Sequence, residues 1–299
     1  WMPKERYKIM NQYMPKVGTL GLDMMLRTCT IQVNLDYSNE DDMIKKFQVS
    51  LALQSVATAL FANSPFVDGK ISGFLSKRAF VWTDTDFDRT GVPMNVFKED
   101  FGYRSWLDYL MSVPMYFIYR DGKYIDVSGQ KFSDFMLGKL IGFEGMFPTL
   151  KDWEDHTTVA FPEVRLKQYL EMRGADGGPW SRICALPALW VGLLYDEKSI
   201  NDSFNLAKKF MNYKILENAR ISAAKYGLKG KIGKCKIIDV ANQMLDISYQ
   251  GLKRRNFLDK KGLSETQFLD PLFNLIDRNE TASEEIIRKF NLDWNKNIN

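Results

Sequence analysis

Residues 27–37 alternate strictly: Cys29, Ile31, Val33, Leu35 and Tyr37 are apolar, and Thr28, Thr30, Gln32, Asn34 and Asp36 between them are polar. Successive side chains of a strand point to opposite faces, so this period of two predicts a strand with one buried and one wet face. Such a strand needs an apolar layer over it, and the next residues supply one. Ser38 and Asn39 offer a helix N-cap, Glu40, Asp41 and Asp42 suit the positive end of a first turn, and Ile44, Phe47 and Leu51 recur at helical spacing. Toward Leu60 the pattern becomes nearly apolar, which predicts a buried helix ending before Asn63-Ser64-Pro65.

A second alternation spans residues 164–173, with Val164, Leu166, Leu170 and Met172 on one side and Arg165, Lys167, Tyr169, Glu171 and Arg173 on the other; only Gln168 breaks it. It reads as a second strand, running into a flexible loop at Gly174-Ala175-Asp176-Gly177-Gly178-Pro179-Trp180. Residues 115–127 read as a hairpin turning at Asp121-Gly122, a dipeptide suited to a type I′ turn. After Asp196 the spacing becomes helical, through Phe204, Leu206 and Phe210 and later Val240, Met244, Ile247 and Leu252. The class is α+β, with a helical C-terminal region and an end expected to fray.

With 299 residues, 45% of them hydrophobic, the chain can bury a sizeable core in one large domain or two smaller ones. The longest apolar stretch, residues 183–195, contains Pro187 and is short of the ~20 residues a membrane-spanning helix needs. A net charge of +4 from 41 basic and 37 acidic residues gives no strong nucleic-acid signal. The surplus gathers at Lys225, Lys229, Lys231, Lys234 and Lys236, read as a solvated helix face or loop. Cys29, Cys184 and Cys235 are far apart with no CxxC pair, which fits a reducing cytoplasm better than a secreted disulfide framework. Trp1 stands where an initiator Met is expected, so the sequence reads as truncated or processed.

Several chemistries are excluded by inspection. No Gly-Lys pair has the upstream Gly of a phosphate-binding P-loop, and no GxGxxG follows a strand. One histidine, His156, rules out a His-rich zinc site. Asp84, Asp86 and Asp88 start like a calcium loop, but Arg89 and Asn95 stand where its Gly and its bidentate Glu belong.

What remains is polar strand faces beside loops. Glu171 and Arg173 share a strand side; a carboxylate can hold Mg²⁺ through hard oxygen contacts, and a guanidinium can pair with phosphate or carboxylate. An ordinary solvated sheet face explains the same pattern, as it does for Gln32 and Asn34. Arg78, Trp82, Asp84, Asp86 and Arg89 form either a substrate-contacting loop or a surface salt-bridge patch. His156 is a general acid or base or, more commonly, a structural hydrogen-bonding residue, and Cys184 reads as buried.

Four stretches together are similar to the plant and proteobacterial type of glutamate–cysteine ligase: YMPKVGTLGLDMMLRTCTIQVNLDY from Tyr13, LFANSPF from Leu60, FLSKRAFVWTDTDFDRTG from Phe74 and FPEVRLKQYLEMRGADGGPWSRICALPALWVGLLYD from Phe161. The resemblance covers most of residues 1–200 and fades in the helical tail. It implies a glutamine synthetase-like curved antiparallel sheet with flanking helices, organised as a catalytic core over residues 1–200 and a helical C-terminal region of the same domain over 201–299. It implies an ATP- and Mg²⁺-dependent ligase that joins the γ-carboxylate of L-glutamate to the amine of L-cysteine through a γ-glutamyl phosphate, the first step of glutathione biosynthesis. The substrates are then small molecules, with no nucleic-acid or membrane partner. Carried over by position, Glu171 and Gln32 resemble metal-binding residues, Arg6 and Arg78 substrate-carboxylate ligands, Arg173 a catalytic residue facing the phosphates, and Tyr116 and Trp180 walls of the cysteine and glutamate pockets.

The sequence also departs from the family. Val127 and Gly142 occupy the positions of a redox-sensitive cysteine pair, Cys184 matches a second regulatory cysteine, and the family's N-terminal acidic metal ligands lie upstream of Trp1. The chain taken alone is therefore expected to turn over little or not at all. A carboxylate–amine ligase using another amine and a non-catalytic scaffold of the same fold are the alternatives.

Overall fold

A computed structural model describes residues 3–294, 296 and 297. The start at Trp1 and the last two residues, where the frayed end is expected, lie outside them. The chain forms two compact units, one from Val81–Arg165 with the residues before Cys29, the other from Cys29–Phe80 with the residues from Leu166 onward.

In the second unit, strand Thr30–Leu35 pairs antiparallel with strand Leu170–Asp176; the chain enters the unit through the short strand Val164–Leu166, which spans the point where the two units meet in sequence. Val33 and Leu35 are buried while Gln32 and Asn34 are exposed, as the alternation requires. The strand is shorter than the alternating run because Gly21–Arg27 is helical, with the Thr28 hydroxyl closing its last turn on the Met24 carbonyl at 2.7 Å. Cys29 is consequently exposed, not inward.

Residues 164–173 are not one strand. The chain turns over after Leu166, with Lys167 N–H donating to the Tyr169 carbonyl at 2.8 Å, and exposed Gln168 sits in that turn. Both arms have a period of two, so the turn registers in sequence only as one break in phase. The second arm runs on through Gly174-Ala175-Asp176, which the pattern assigned to a loop, leaving only residues 177–179 before helix Trp180–Leu194. Nor does this strand have a wet face: among its residues only Arg173 is even half-buried.

One cause is helix Glu40–Leu60, laid over the strand. Its Thr58 hydroxyl donates to the Gly174 carbonyl at 3.0 Å. A Cβ at Gly174 would stand 2.4 Å from Nε2 of Gln54, so any other residue here would push the Gln54 side chain aside. The helix starts at Asn39, whose side chain accepts from Asp42 N–H at 3.0 Å, a cap worth ~1 kcal/mol. From Val49 to Leu60 every residue is buried, because helices Glu197–Ala207, Tyr213–Tyr226 and Ile237–Arg255 pack on the sides the sheet leaves open.

Helices Trp180–Leu194 and Ile237–Arg255 cross at Gly192 and Gly251, where a Cβ on Gly251 would meet the Gly192 carbonyl at 2.0 Å. Among the described residues the C-terminal region is mainly helical, interrupted by a loop closed at an antiparallel bridge between Leu258 and Ser264 and by a hairpin. Lys231–Ile232 and Cys235–Lys236 form a small antiparallel hairpin, and Lys231, Lys234 and Lys236 are exposed on it, not on a helix.

In the first unit, Phe117–Arg120 and Lys123–Asp126 form the expected hairpin. Asp121 and Gly122 have φ of +48° and +78°, the type I′ signature. Met115, Ile118, Val127, Phe132, Phe135 and Leu140 make its core. Arg120 clamps Asp152 of helix Leu150–Thr157 with two bonds of 2.6 and 2.8 Å. No helix among the described residues is long and apolar enough to cross a membrane.

Candidate active site

The pairing of Thr30–Leu35 with Leu170–Asp176 slips by one residue between Ile31 and Val33, so that Arg173 and Gly174 together stand opposite Gln32. Such a bulge takes carbonyls out of the ladder, and each must find another donor. The Arg173 carbonyl accepts from Nη2 of Arg78 at 2.6 Å, and the Gly174 carbonyl from Thr58. The bulge thus draws a guanidinium from helix Lys77–Val81 onto the strand that carries Glu171 and Arg173.

Glu171 is 4% exposed and held by charge on two sides: Nη1 of Arg173 lies 2.6 Å from its Oε2 and Nζ of Lys167 3.8 Å from its Oε1. Asn34 stands directly across the ladder from it, so their side chains share a face. Arg78, on its helix, is 5% exposed. Within this unit the structure therefore gathers Glu171, Arg173, Arg78 and Gln32 around one bulge. Trp180, by contrast, is 76% exposed at the first residue of its helix.

Arg6 and Tyr116 come together in the first unit, lining a cavity of about 250 Å³ with Met10, Val159, Phe161 and Arg165. Arg165, 7% exposed, was not singled out from the sequence; its Nη1 donates to the Thr158 and Ala160 carbonyls at 3.1 and 3.0 Å and so shapes the cavity wall. Tyr116 is 1% exposed and its hydroxyl has no hydrogen-bond partner among the described residues. Burial pushes its pKa up, against the pull of the Arg89 guanidinium, which lies 3.9 Å over its ring. A neutral phenol and two guanidinium groups suit this cavity to an anionic ligand with an apolar portion.

Arg89 itself is fully buried and paired with Asp86 at 2.5 Å. This part of the stretch from Arg78 to Arg89 is thus neither a substrate loop nor a surface patch, because both charges are withdrawn from water into the core. His156 is structural: its Nε2 is 2.8 Å from the Leu110 carbonyl, Phe132 stacks on the ring, and burial lowers its pKa to about 4. Cys184 is half-buried, not buried, since the inward face of its helix begins at Ala185.

Residues 1–298 match the family model described as glutamate-cysteine ligase family 2 (GCS2). The chain belongs to that family. It is 51% identical over 297 residues to glutamate–cysteine ligase B, chloroplastic, of Oryza sativa subsp. japonica, covering 99% of this chain and 58% of the relative. The chloroplastic glutamate–cysteine ligases of Medicago truncatula and Arabidopsis thaliana are 50% and 51% identical over the same share of the chain, 57% and 56% of their own lengths. This GCS2 member thus spans rather more than half the length of the curated relatives it matches.

The carboxylate of Asp176 is a feature of this GCS2 chain that alternation did not reveal. It is 3% exposed and accepts from Asn63, Ser64 and Ser76, all a hundred or more residues earlier. The available signal was an acidic residue continuing a run of apolar strand positions, Leu170, Met172 and Ala175. Such a residue is buried only with dedicated donors.

Proposed function

We propose that the protein takes part in ATP-dependent ligation of L-glutamate to L-cysteine. The γ-carboxylate takes the terminal phosphoryl group of ATP and releases ADP; the cysteine amine then attacks the acyl phosphate, forming the amide and releasing phosphate. The observation that carries this reading is the family match over residues 1–298. The strands described here would belong to a glutamine synthetase-like curved sheet.

The charges around the bulge suit the first step. A polyphosphate approaching a carboxylate meets repulsion that fixed cations offset. Arg173 is assigned to the phosphates and Arg78 to a substrate carboxylate, with Glu171 restraining the Arg173 side chain at 2.6 Å. Arg6 and Tyr116, on the cavity of the first unit, are assigned to the amino-acid substrates, and Trp180 to the rim of a pocket.

Glu171 and Gln32 are our candidates for two oxygen ligands of Mg²⁺. They do not make a magnesium site by themselves, because the ion takes six ligands. No group of three or more His, Cys, Asp or Glu among the described residues is placed to hold a metal. Three unpaired cysteines support a reducing setting such as the cytoplasm.

The test is ADP release by the full-length protein with ATP and L-glutamate, with and without L-cysteine and against a panel of other amines. Cysteine-dependent release is the expected result. Release that needs no glutamate, or that cysteine does not accelerate over other amines, would refute the assignment.

A further inference from the structure

The buried carboxylate of Asp176 has no part in the roles assigned above, yet it organises the turn that carries Arg78. Its Oδ2 accepts from the backbone N–H of Asn63 at 2.8 Å and from the Ser64 hydroxyl at 2.7 Å; its Oδ1 accepts from the Ser76 hydroxyl at 2.8 Å. A serine hydroxyl has one proton, so each serine that donates to Asp176 can meet its other neighbour only as an acceptor. Both do. Ser64 Oγ accepts from the backbone N–H of Arg78 at 3.0 Å, and Ser76 Oγ from that of Ala79 at 3.1 Å. The first N–H groups of a helix lack partners within it, and here two of them are passed through serines to one carboxylate.

The direction of every bond in this relay follows from Asp176 being an acceptor. Burial pushes its pKa up from the ordinary carboxylate value, but all its named hydrogen-bond partners donate, so the ionised form is the one the network fits. From the same turn, Nη2 of Arg78 reaches the Arg173 carbonyl at the bulge. The strand that ends in Asp176 and the guanidinium that closes on Arg173 are thus tied together at two points.

We infer that Asp176 is a positioning residue for the ligase reaction, holding the Arg78 turn in register with the Glu171–Arg173 strand through Ser64 and Ser76. This rests on the reading of Arg78 as a ligand of a substrate carboxylate. Asp176→Asn keeps the shape but aims an amide N–H₂ at a hydroxyl donor, so one serine must turn its proton away and loses the bond that fixes its oxygen beneath the helix N–H.

The experiment measures KM for glutamate and for ATP, kcat and the thermal midpoint, in the full-length protein, for wild type, Asp176→Asn, Arg78→Met and the double variant. The expected result is a rise in glutamate KM of about tenfold or more for Asp176→Asn, with ATP KM changed less than about twofold. In the Arg78→Met background the same substitution should add little, since the residue it acts through is gone. Ser76→Ala should shift glutamate KM in the same direction by less, and Ser76→Thr, which keeps the hydroxyl, should restore it; this pair decides the matter if Asp176→Asn does not fold. An unchanged glutamate KM, or losses that multiply in the double variant, would show Asp176 to be merely structural. Wild-type protein without glutamate-dependent ADP release would overturn the ligase reading, and this inference with it, before any variant is compared.

Discussion

Replacing Asp86 by Ala should be among the most damaging single changes in the first unit. Asp86 and Arg89 are both wholly inaccessible and stand 2.5 Å apart. The Asp86 carboxylate also accepts from the backbone N–H of Asp88 at 3.1 Å. Without it, the Arg89 guanidinium keeps one carbonyl, that of Val159 at 3.2 Å, and the faces of the Tyr116 and Tyr13 rings at 3.9 and 5.8 Å. Those rings return ~2 kcal/mol to a desolvated cation, whereas stranding one member of a buried pair costs about 3–5 kcal/mol overall. That is a fifth or more of a typical domain's stability of about 5–15 kcal/mol.

Urea unfolding followed by tryptophan fluorescence reads the loss as a lower midpoint at constant slope. Adding Arg89→Met removes the stranded charge and leaves an apolar chain of similar length against Tyr116, so the double variant should regain most of the stability. A loss under about 1 kcal/mol for Asp86→Ala, or a double variant no more stable than the single one, would refute the reasoning.

Three further outcomes can be measured. His156 titrates near 6.5 when unfolded and at about 4 when folded, because burial disfavours its charged form. Between those values the unfolded state binds the extra proton, so stability should fall as pH drops from 6.5 toward 4, by about 3 kcal/mol in all; His156→Gln should flatten that part of a urea-midpoint profile. Gly174→Ala places a methyl 2.4 Å from the buried Gln54 amide and should cost about 1–3 kcal/mol in a thermal melt, most of it recovered with Gln54→Ala. Glu171→Gln removes the charge facing Arg173 and Lys167, and should slow ADP release by about a hundredfold while leaving the fold intact by circular dichroism.

The parts of the fold legible in the sequence are those written over a few residues. The alternation across Ile31–Leu35, the cap at Asn39 and the turn at Asp121-Gly122 each depend on neighbours within four positions, and each forms as its pattern requires. The hairpin at Gln168 escaped because two short strands and one long strand share the same period. The hairpin at Lys231 escaped for lack of length, since two residues per arm make no pattern. Family membership was legible too, because long stretches of similarity need no knowledge of contacts.

Whether a charged residue meets water or a partner was decided only by tertiary structure. Alternation placed Glu171 and Arg173 on one strand side, but not that the side is closed and the two are joined. The run of acidic and basic residues before Thr90 gave no sign that Asp86 and Arg89 turn inward while Phe87 between them is 75% exposed. Asp176 finds its donors at Asn63, Ser64 and Ser76 because the sheet and helix Lys77–Val81 bring those segments to it. Local sequence sets which dihedrals and faces a segment prefers. Burial and hydrogen-bond partnership depend on which distant segment arrives, and no local pattern encodes that.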